Sequence, residues 1–304
     1  MLANINIERP TIYRGRFAPS PSGPLHFGSL ITALASFIHA KQHNGIWLVR
    51  IEDIDPPREQ PGAASLILKT LDAFGLHWDE DVLYQSRQTE RYNATLADLA
   101  KQNLTYHCQC TRSKIKASGG IYQGHCKTLS LAKENSAIRL INHFAKDHYQ
   151  DIIQGQVNCD KALAKEDFIL KRKDGLFAYQ LAVVLDDIKQ GISHIIRGCD
   201  LLEPTARQLT LFNTLNHPVP SFGHIPLAVT DDGYKLSKQN KAPAIDIAHP
   251  QPALFAALQF LGQRPPNELV KMSVVEIINW AKKHADFSLV PNQHQIMLEN
   301  HTFS

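Results

Sequence analysis

Apolar residues at 30, 31, 34, 37 and 38 keep helical spacing and predict a helix over 29–40 that stops at Asn44-Gly45. The short, partly β-branched run 11–15 ahead of it reads as a strand. Between the two, Pro19, Pro21 and Pro24 forbid regular structure, because each fixes φ and withdraws a backbone donor. The apolar run 46–51 then reads as a buried parallel strand completing a βαβ unit. Helical patterns return at 63–74, with Leu66, Ile67, Leu71 and Phe74 on one face, and at 89–103, with Tyr92, Leu96 and Leu99 inward. Residues 105–108 leave this sheet.

From about 107 to about 190 the periodicity weakens, and Gly119-Gly120 with scattered histidines predicts a loop-rich insertion. Inside it, 167–172 and 176–181 flank Lys173-Asp174-Gly175, a hairpin pattern. A strand over 192–198, a helix over 204–215 and a last strand over 226–230 resume the α/β alternation. Beyond Ala244 only helical patterns remain, at 252–261 and 273–284. The expected division is therefore 11–106 and 191–243 as two halves of a nucleotide-binding fold, 107–190 as an insertion and 244–304 as a short helical tail.

Composition narrows the class. The 304 residues are 43% hydrophobic and 20% charged, with a net charge of +3, which suits a globular enzyme and permits a polyanionic partner without demanding one. No apolar run approaches the roughly 20 residues that span a bilayer. The first residues lack the basic and apolar regions of a signal peptide. Five cysteines, three of them clustered, suit a reducing compartment such as the cytoplasm and a metal site better than a disulfide framework. Cys108, Cys110 and Cys126 offer thiolates to a structural tetrahedral zinc; Cys159 and Cys199 look unpaired. His107, His125 and Tyr122 are all open as the fourth ligand.

Two segments point to phosphate chemistry. Strand, rigid Gly/Pro loop and helix aim the free N–H groups of a helix start at a phosphate-bearing ligand. Glu52-Asp53 ends the second strand, where open α/β sheets bind ligands in a crevice. Far along the chain, Asp231–Gln239 carries Lys235 and Lys238 on a glycine-containing loop after a strand. Either loop alone is also what a solvated turn looks like.

The letters are more specific than the shapes. Pro24-Leu25-His26-Phe27-Gly28-Ser29 resembles the "HIGH" motif of class I aminoacyl-tRNA synthetases, and Arg16–Gly23 resembles its glutamyl branch. Arg50–Arg58 is similar to that branch's "RIEDTDP-x-R", with Ile54 for threonine. Lys235–Gln239 is similar to "KMSKS", with Leu236 for methionine and Gln239 for the last serine. Arg197–Leu202 resembles "RGEDLL", with Cys199 where glutamate is usual.

The resemblance covers 12 to about 245 and implies a Rossmann-type α/β catalytic domain that activates L-glutamate with ATP and Mg²⁺. It implies ATP contacts from His26, Gly28, Lys235, Ser237 and Lys238, with His26 and Lys238 catalytic. Glutamate contacts fall to Arg16, Ala18, Ser20, Glu52, Tyr179 and Arg197, with Glu52 on the ammonium group. A guanidinium matches a carboxylate with two parallel hydrogen bonds, so two arginines suit a dicarboxylic amino acid. A variant family site with tyrosine as fourth zinc ligand implies Tyr122. Asp186-Asp187 reads as a helix start or a contact near tRNA.

Only 66 residues follow Lys238, fewer than the helical anticodon reader of a full glutamyl-tRNA synthetase. The whole chain therefore resembles the family's truncated branch, which implies tRNA-independent activation and transfer to the cyclopentenediol of queuosine in the tRNA(Asp) anticodon, by a monomer. The alternative is a truncated glutamyl enzyme that charges a tRNA 3′ end.

Overall fold

The computed structural model describes residues 12–230 and 243–298. Strand β1 (Arg14–Phe17) leads through the proline loop into α1 (Phe27–Gln42), and β2 (Ile46–Ile51) returns parallel to β1. The βαβ unit is as expected. Its helix, however, is buried on nearly every side: Leu30, Ile31, Leu34 and Ile38 are at most 1% exposed, and Ala33, Ala35 and Ala40 are fully buried. Each large aliphatic side chain so buried contributes ~1.5–3 kcal/mol, so packing rather than capping holds α1 in place. Asn44 takes a left-handed φ of 51° to end the helix. A Cβ on Gly45 would lie 2.7 Å from the Tyr13 carbonyl oxygen, so only glycine fits there.

Next come α2 (Ala63–Ala73), β3 (Leu83–Tyr84), parallel to β2, and α3 (Thr89–Lys101), which buries Tyr92, Leu96 and Leu99 as expected. Then β4 (Thr105–Cys108), α4 (Arg112–Ala117) and β5 (Ala137–Leu140) follow. The hairpin β6 (His148–Asp151) and β7 (Gly155–Asn158) precedes α5 (Lys161–Lys165) and β8 (Ile169–Lys171). Strands β4, β5 and β8 make a separate antiparallel sheet beside the cysteine cluster.

The expected hairpin over 167–172 and 176–181 is half right. Its turn forms, with Arg172 N on Leu176 O at 2.8 Å and Ala178 N on Leu170 O at 2.9 Å. The second arm then gives way to α6 (Tyr179–Lys189), because burying Leu181 through Leu185 on several sides outweighs the strand preference of its valines.

Strand β9 (His194–Gly198), α7 (Leu202–Thr214) and β10 (Ser221–Ile225) form a second parallel crossover, and β6 pairs with the far edge of β10, giving the order β7-β6-β10-β9. Short β11 (Leu227–Val229) is followed, in the tail, by α8 (Pro250–Phe260), α9 (Val274–His284) and β12 (Gln295–Met297). A capping box between Ser273 and Glu276 starts α9 where its sequence predicts. The tail is not purely helical, since β12 pairs in parallel with β11. Three residues carry no readable period, and only Ile296 of them packs against the main core. Helices α8 and α9 cover one side of α1, while β1 and β9 lie against it on another.

Candidate active site

The carboxyl ends of β1, β2 and β9 open on a cleft of about 680 Å³. The proline loop forms one wall. Its prolines donate nothing, so neighbouring amides hold it by its carbonyls: Glu52 N on Pro19 O at 3.0 Å and Gln60 N on Pro21 O at 2.9 Å. Strand β1, this loop and the start of α1 bring Arg16, Ala18, Ser20, His26 and Gly28 to the cleft, and Glu52, Tyr179 and Arg197 join them from elsewhere in the chain. Lys235, Ser237 and Lys238 lie outside the described residues. What flanks them is described: Ala228 lines the cleft, and Ala244 forms an antiparallel bridge with His26.

His26 caps α1 from an extended backbone, its Nδ1 3.3 Å from Ser29 N and its Nε2 3.0 Å from Ser29 Oγ. Gly28 and Ser29, in the first turn of α1, line the cleft. The helix start thus meets an imidazole at one point.

Behind the cleft lies a buried charge network that includes the acid pair Asp186-Asp187. These acids do not start a helix; they sit near the end of α6, at most 1% exposed. Asp187 accepts from Arg16 Nε at 3.1 Å and from Arg50 Nη1 at 2.8 Å. Burial pushes its carboxyl up, but the two guanidinium groups prevail and hold it below the usual range. Asp186 takes Gln85 Nε2 and the Tyr92 hydroxyl, each at 2.7 Å, together with Arg91. A pair of buried carboxylates at a helix C-terminus is tolerable only because three arginines surround it. The same network accounts for Arg16, which lines the cleft while its charge is shared with Asp187. Asp53, next to Glu52, takes the Ser86 amide at 2.9 Å and hydroxyl at 2.6 Å.

Arg197 differs. Its Nε donates to His224 Nε2 at 3.0 Å and its Nη2 to Thr205 Oγ1 at 2.6 Å, while Nη1, also buried, makes no hydrogen bond to any described residue. His224 in turn lies 2.6 Å from Asp151 Oδ2. Sequence reasoning missed Asp151, Thr205 and His224; the one available signal was His224, a polar residue between Phe222 and Ile225. Glu52 shows the opposite imbalance. Its Oε1 is buried without a hydrogen bond among the described residues, and Arg50 Nη2 stands 3.6 Å away. Burial raises its carboxyl above the usual range despite Arg50 and Arg16. Burial likewise raises the Tyr179 hydroxyl, and Glu52, Arg197 and Arg16 all act on that phenol.

The cysteine cluster lies beside a second chamber of about 450 Å³ that shares Ser20, Glu52, Arg58 and Tyr179 with the first. The sulfurs of Cys108, Cys110 and Cys126 lie within 4.8 Å of one another, and among the described residues no histidine or carboxylate joins them. All five cysteines are free thiols. Burial and the bond to Cys126 push the Cys110 thiol up to about 11. At Cys126 burial acts upward too, but bonds from Gln109 and Cys110 outweigh it and lower the thiol. Three converging soft donors fit a metal cation. The Tyr122 hydroxyl accepts from Cys126 N at 2.9 Å, while His125 is exposed and His107 Nδ1 lies 3.1 Å from Ser136 Oγ.

This fold, with a phosphate-type helix start and a cleft at the strand ends, is that of a class I synthetase catalytic domain. Residues 13–280 match the family described as tRNA synthetases class I (E and Q), catalytic domain, and the chain belongs to that family. Curated relatives agree. A glutamyl-Q tRNA(Asp) synthetase of Colwellia psychrerythraea is 60% identical over 98% of this chain and 100% of its own length. One of Photobacterium profundum is 51% identical over 98% of this chain and 96% of its own. Among solved structures, a glutamate-tRNA synthetase of Elizabethkingia anophelis superposes with a TM-score of 0.77 at 25% identity, over 96% of this chain and 69% of that one. Among the described residues no helix is long and apolar enough to cross a membrane.

Proposed function

We propose that the chain activates L-glutamate with ATP, without tRNA, and transfers it to the cyclopentenediol of queuosine at the wobble position of tRNA(Asp). The observation that carries the amino-acid half is the opposed pair on one cleft: among the described residues Arg197 Nη1 has no hydrogen-bond acceptor and Glu52 Oε1 no hydrogen-bond donor. Glutamate supplies both, its side-chain carboxylate for Arg197 and its ammonium group for Glu52. Arg16, Ala18, Ser20 and Tyr179 complete that pocket. The identity and nearly full-length match to relatives named for the glutamyl-Q reaction support the nucleic-acid half.

The α-carboxylate oxygen attacks the α-phosphorus of ATP, and pyrophosphate leaves with the bond it breaks. His26, the amides near Gly28 and the loop residues Lys235, Ser237 and Lys238 stabilise the charge that gathers on the phosphates. The bridge between His26 and Ala244 supports this assignment, because it ties the segment after the lysine loop to the backbone that carries the imidazole. Mg²⁺ accompanies ATP, and bound to its phosphates it would neutralise part of their charge. A queuosine diol oxygen then attacks the glutamyl carbonyl, and AMP leaves.

The second chamber, with Arg58, Arg112 and Arg172 exposed about it, suits an unpaired nucleotide and its phosphates. In this reading 11–106 and 191–243 bind the nucleotide, 107–190 carries a structural zinc on Cys108, Cys110, Tyr122 and Cys126, and 244–304 braces a tRNA stem. The enzyme works as a monomer in the cytoplasm.

Glutamate-dependent ATP–pyrophosphate exchange without tRNA tests the first step. For the second, tRNA(Asp) carrying queuosine but trimmed of its terminal adenosine is expected to accept glutamate, and tRNA(Asp) with guanosine in its place is not. The reverse pattern would make the chain an ordinary glutamyl-tRNA synthetase.

A further inference from the structure

Arg197 and His224 stand directly across from each other on neighbouring strands, and behind them Asp151 is 2% exposed and His224 fully buried. A guanidinium Nε can only donate, so the imidazole nitrogen facing it, His224 Nε2 at 3.0 Å, must present a lone pair. The proton of the neutral ring then sits on Nδ1 and points at Asp151 Oδ2, 2.6 Å away. The other carboxylate oxygen, Oδ1, accepts three amides: His224 N at 3.0 Å, and Ile153 N and Gln154 N at 2.9 Å each. Those amides fix the carboxylate, the carboxylate fixes the tautomer, and the tautomer fixes the edge of Arg197. Thr205 Oγ1 accepts from Nη2, so two of the three nitrogens are anchored and Nη1 is left for the cleft.

We propose that Asp151 and His224 are positioning residues for recognition of the substrate's side-chain carboxylate, acting through one imposed imidazole tautomer on Arg197. The proposal rests on the reading above that Arg197 takes that carboxylate. Burial lowers the imidazole to about 4 in spite of Asp151, so the ring stays neutral at working pH and the relay does not switch. A charged ring would have no lone pair to offer, and it would stand against a buried guanidinium.

The test uses the substitution Asp151→Asn. The three amides need an acceptor, so the new carbonyl oxygen stays at Oδ1 and the NH₂ group faces His224 Nδ1. The ring must then carry its proton on Nε2, which turns a donor toward Arg197 Nε. A carboxylate-to-amide change that inverts an imidazole's tautomer is known to act this way without moving the backbone. In full-length protein labelled with ¹⁵N-histidine, proton–nitrogen correlation reads the tautomer directly. The His224 signal is the one missing from His224→Gln.

Wild type is expected to show Nδ1–H and Asp151→Asn to show Nε2–H. In pyrophosphate exchange, KM for glutamate should rise by about tenfold or more in Asp151→Asn, with KM for ATP within about twofold. His224→Leu should show the same selective rise. His224→Gln, whose amide oxygen reaches the Nε2 position, should restore most of the affinity.

Nε2–H in the wild type overturns the relay, and so does a switched tautomer with unchanged KM for glutamate. If Asp151→Asn does not fold, the wild-type tautomer and the contrast between His224→Gln and His224→Leu decide alone. Arg197→Ala separates the two readings. Normal glutamate affinity in that variant defeats the assignment of Arg197, and this proposal with it, whereas normal affinity in Asp151→Asn alone defeats only the positioning role.

Discussion

The Asp187 carboxylate grips Arg16 at two points, Nε on Oδ1 at 3.1 Å and Nη2 on Oδ2 at 3.4 Å, across 171 positions of the chain. Arg50 shares the same carboxylate at 2.8 Å. Asp187→Asn leaves two buried guanidinium groups with one partner fewer, and breaking a buried pair typically costs ~3–5 kcal/mol. Urea unfolding is expected to show a loss of that order, with glutamate activation impaired through Arg16. The pH dependence has a definite sign. Asp187 is held below the usual carboxylate range, so its contribution is full above about pH 5 and is lost as pH falls through its lowered folded-state value. The gap between wild type and variant should therefore close only in acid. A gap that instead widened in acid would contradict the network.

Glu52 works the other way. Its carboxyl is raised by burial, so the charged form weakens the unliganded fold as pH rises through that raised value. Glu52→Gln is expected to melt higher than wild type at neutral pH without substrate, with the difference vanishing in acid. The same substitution removes a charged acceptor for the ammonium group, and kcat/KM for glutamate should fall about 10- to 100-fold. Parallel thermal melts and exchange assays check both halves. Lower stability at neutral pH would mean that Glu52 is satisfied within the fold.

Which parts of the site are legible in sequence follows from how each is built. Arg16, His26 and Glu52 sit in or beside loops whose glycines, prolines and acids have local causes, so their pattern survives in one dimension. Arg197 is legible as the charged end of an apolar strand. Asp151 and His224 are not, because a polar residue at the end of the largely polar β6 or inside the short β10 stands out from nothing around it, and their meaning comes from a pairing 73 positions apart in the chain. Asp186-Asp187 reads as a helix start because acids favour that end. Three arginines from other elements override the preference. The extra strand β12 fails for a simpler reason, since three residues hold less than two full periods.

The two phosphate elements predict a separation of binding from chemistry. Lys238→Ala should leave KM for glutamate within about threefold while slowing adenylate formation by about a hundredfold, because the ammonium group matters most as phosphate charge develops. His26 needs a more careful change, because its ring also caps α1. Asparagine is a good cap, so His26→Asn should keep thermal stability and still slow the step. Single-turnover measurement of adenylate is the check. Unchanged rates in both variants would remove these residues from the chemistry.

The cysteine cluster makes the last prediction, because its fourth ligand is decided by protons. Metal analysis is expected to find one zinc per chain, and Cys108→Ser to lose most of it. Tyr122 lies under the Arg139 guanidinium, 3.7 Å from ring centroid to cation, and is 3% exposed. Burial holds its hydroxyl above the ordinary value, so it would ligate only by surrendering a proton to a bound cation's field. Zinc binding by Cys108, Cys110, Cys126 and, as proposed, Tyr122 would therefore release protons from thiols and from the phenol, and affinity should rise with pH. Tyr122→Phe removes one of those protons. Chelator competition between about pH 6 and 8 should thus show weaker zinc binding and a shallower pH slope in Tyr122→Phe, while exposed His125→Ala matches wild type. Full zinc and an unchanged slope in Tyr122→Phe, with loss in His125→Ala, would move the fourth position to His125.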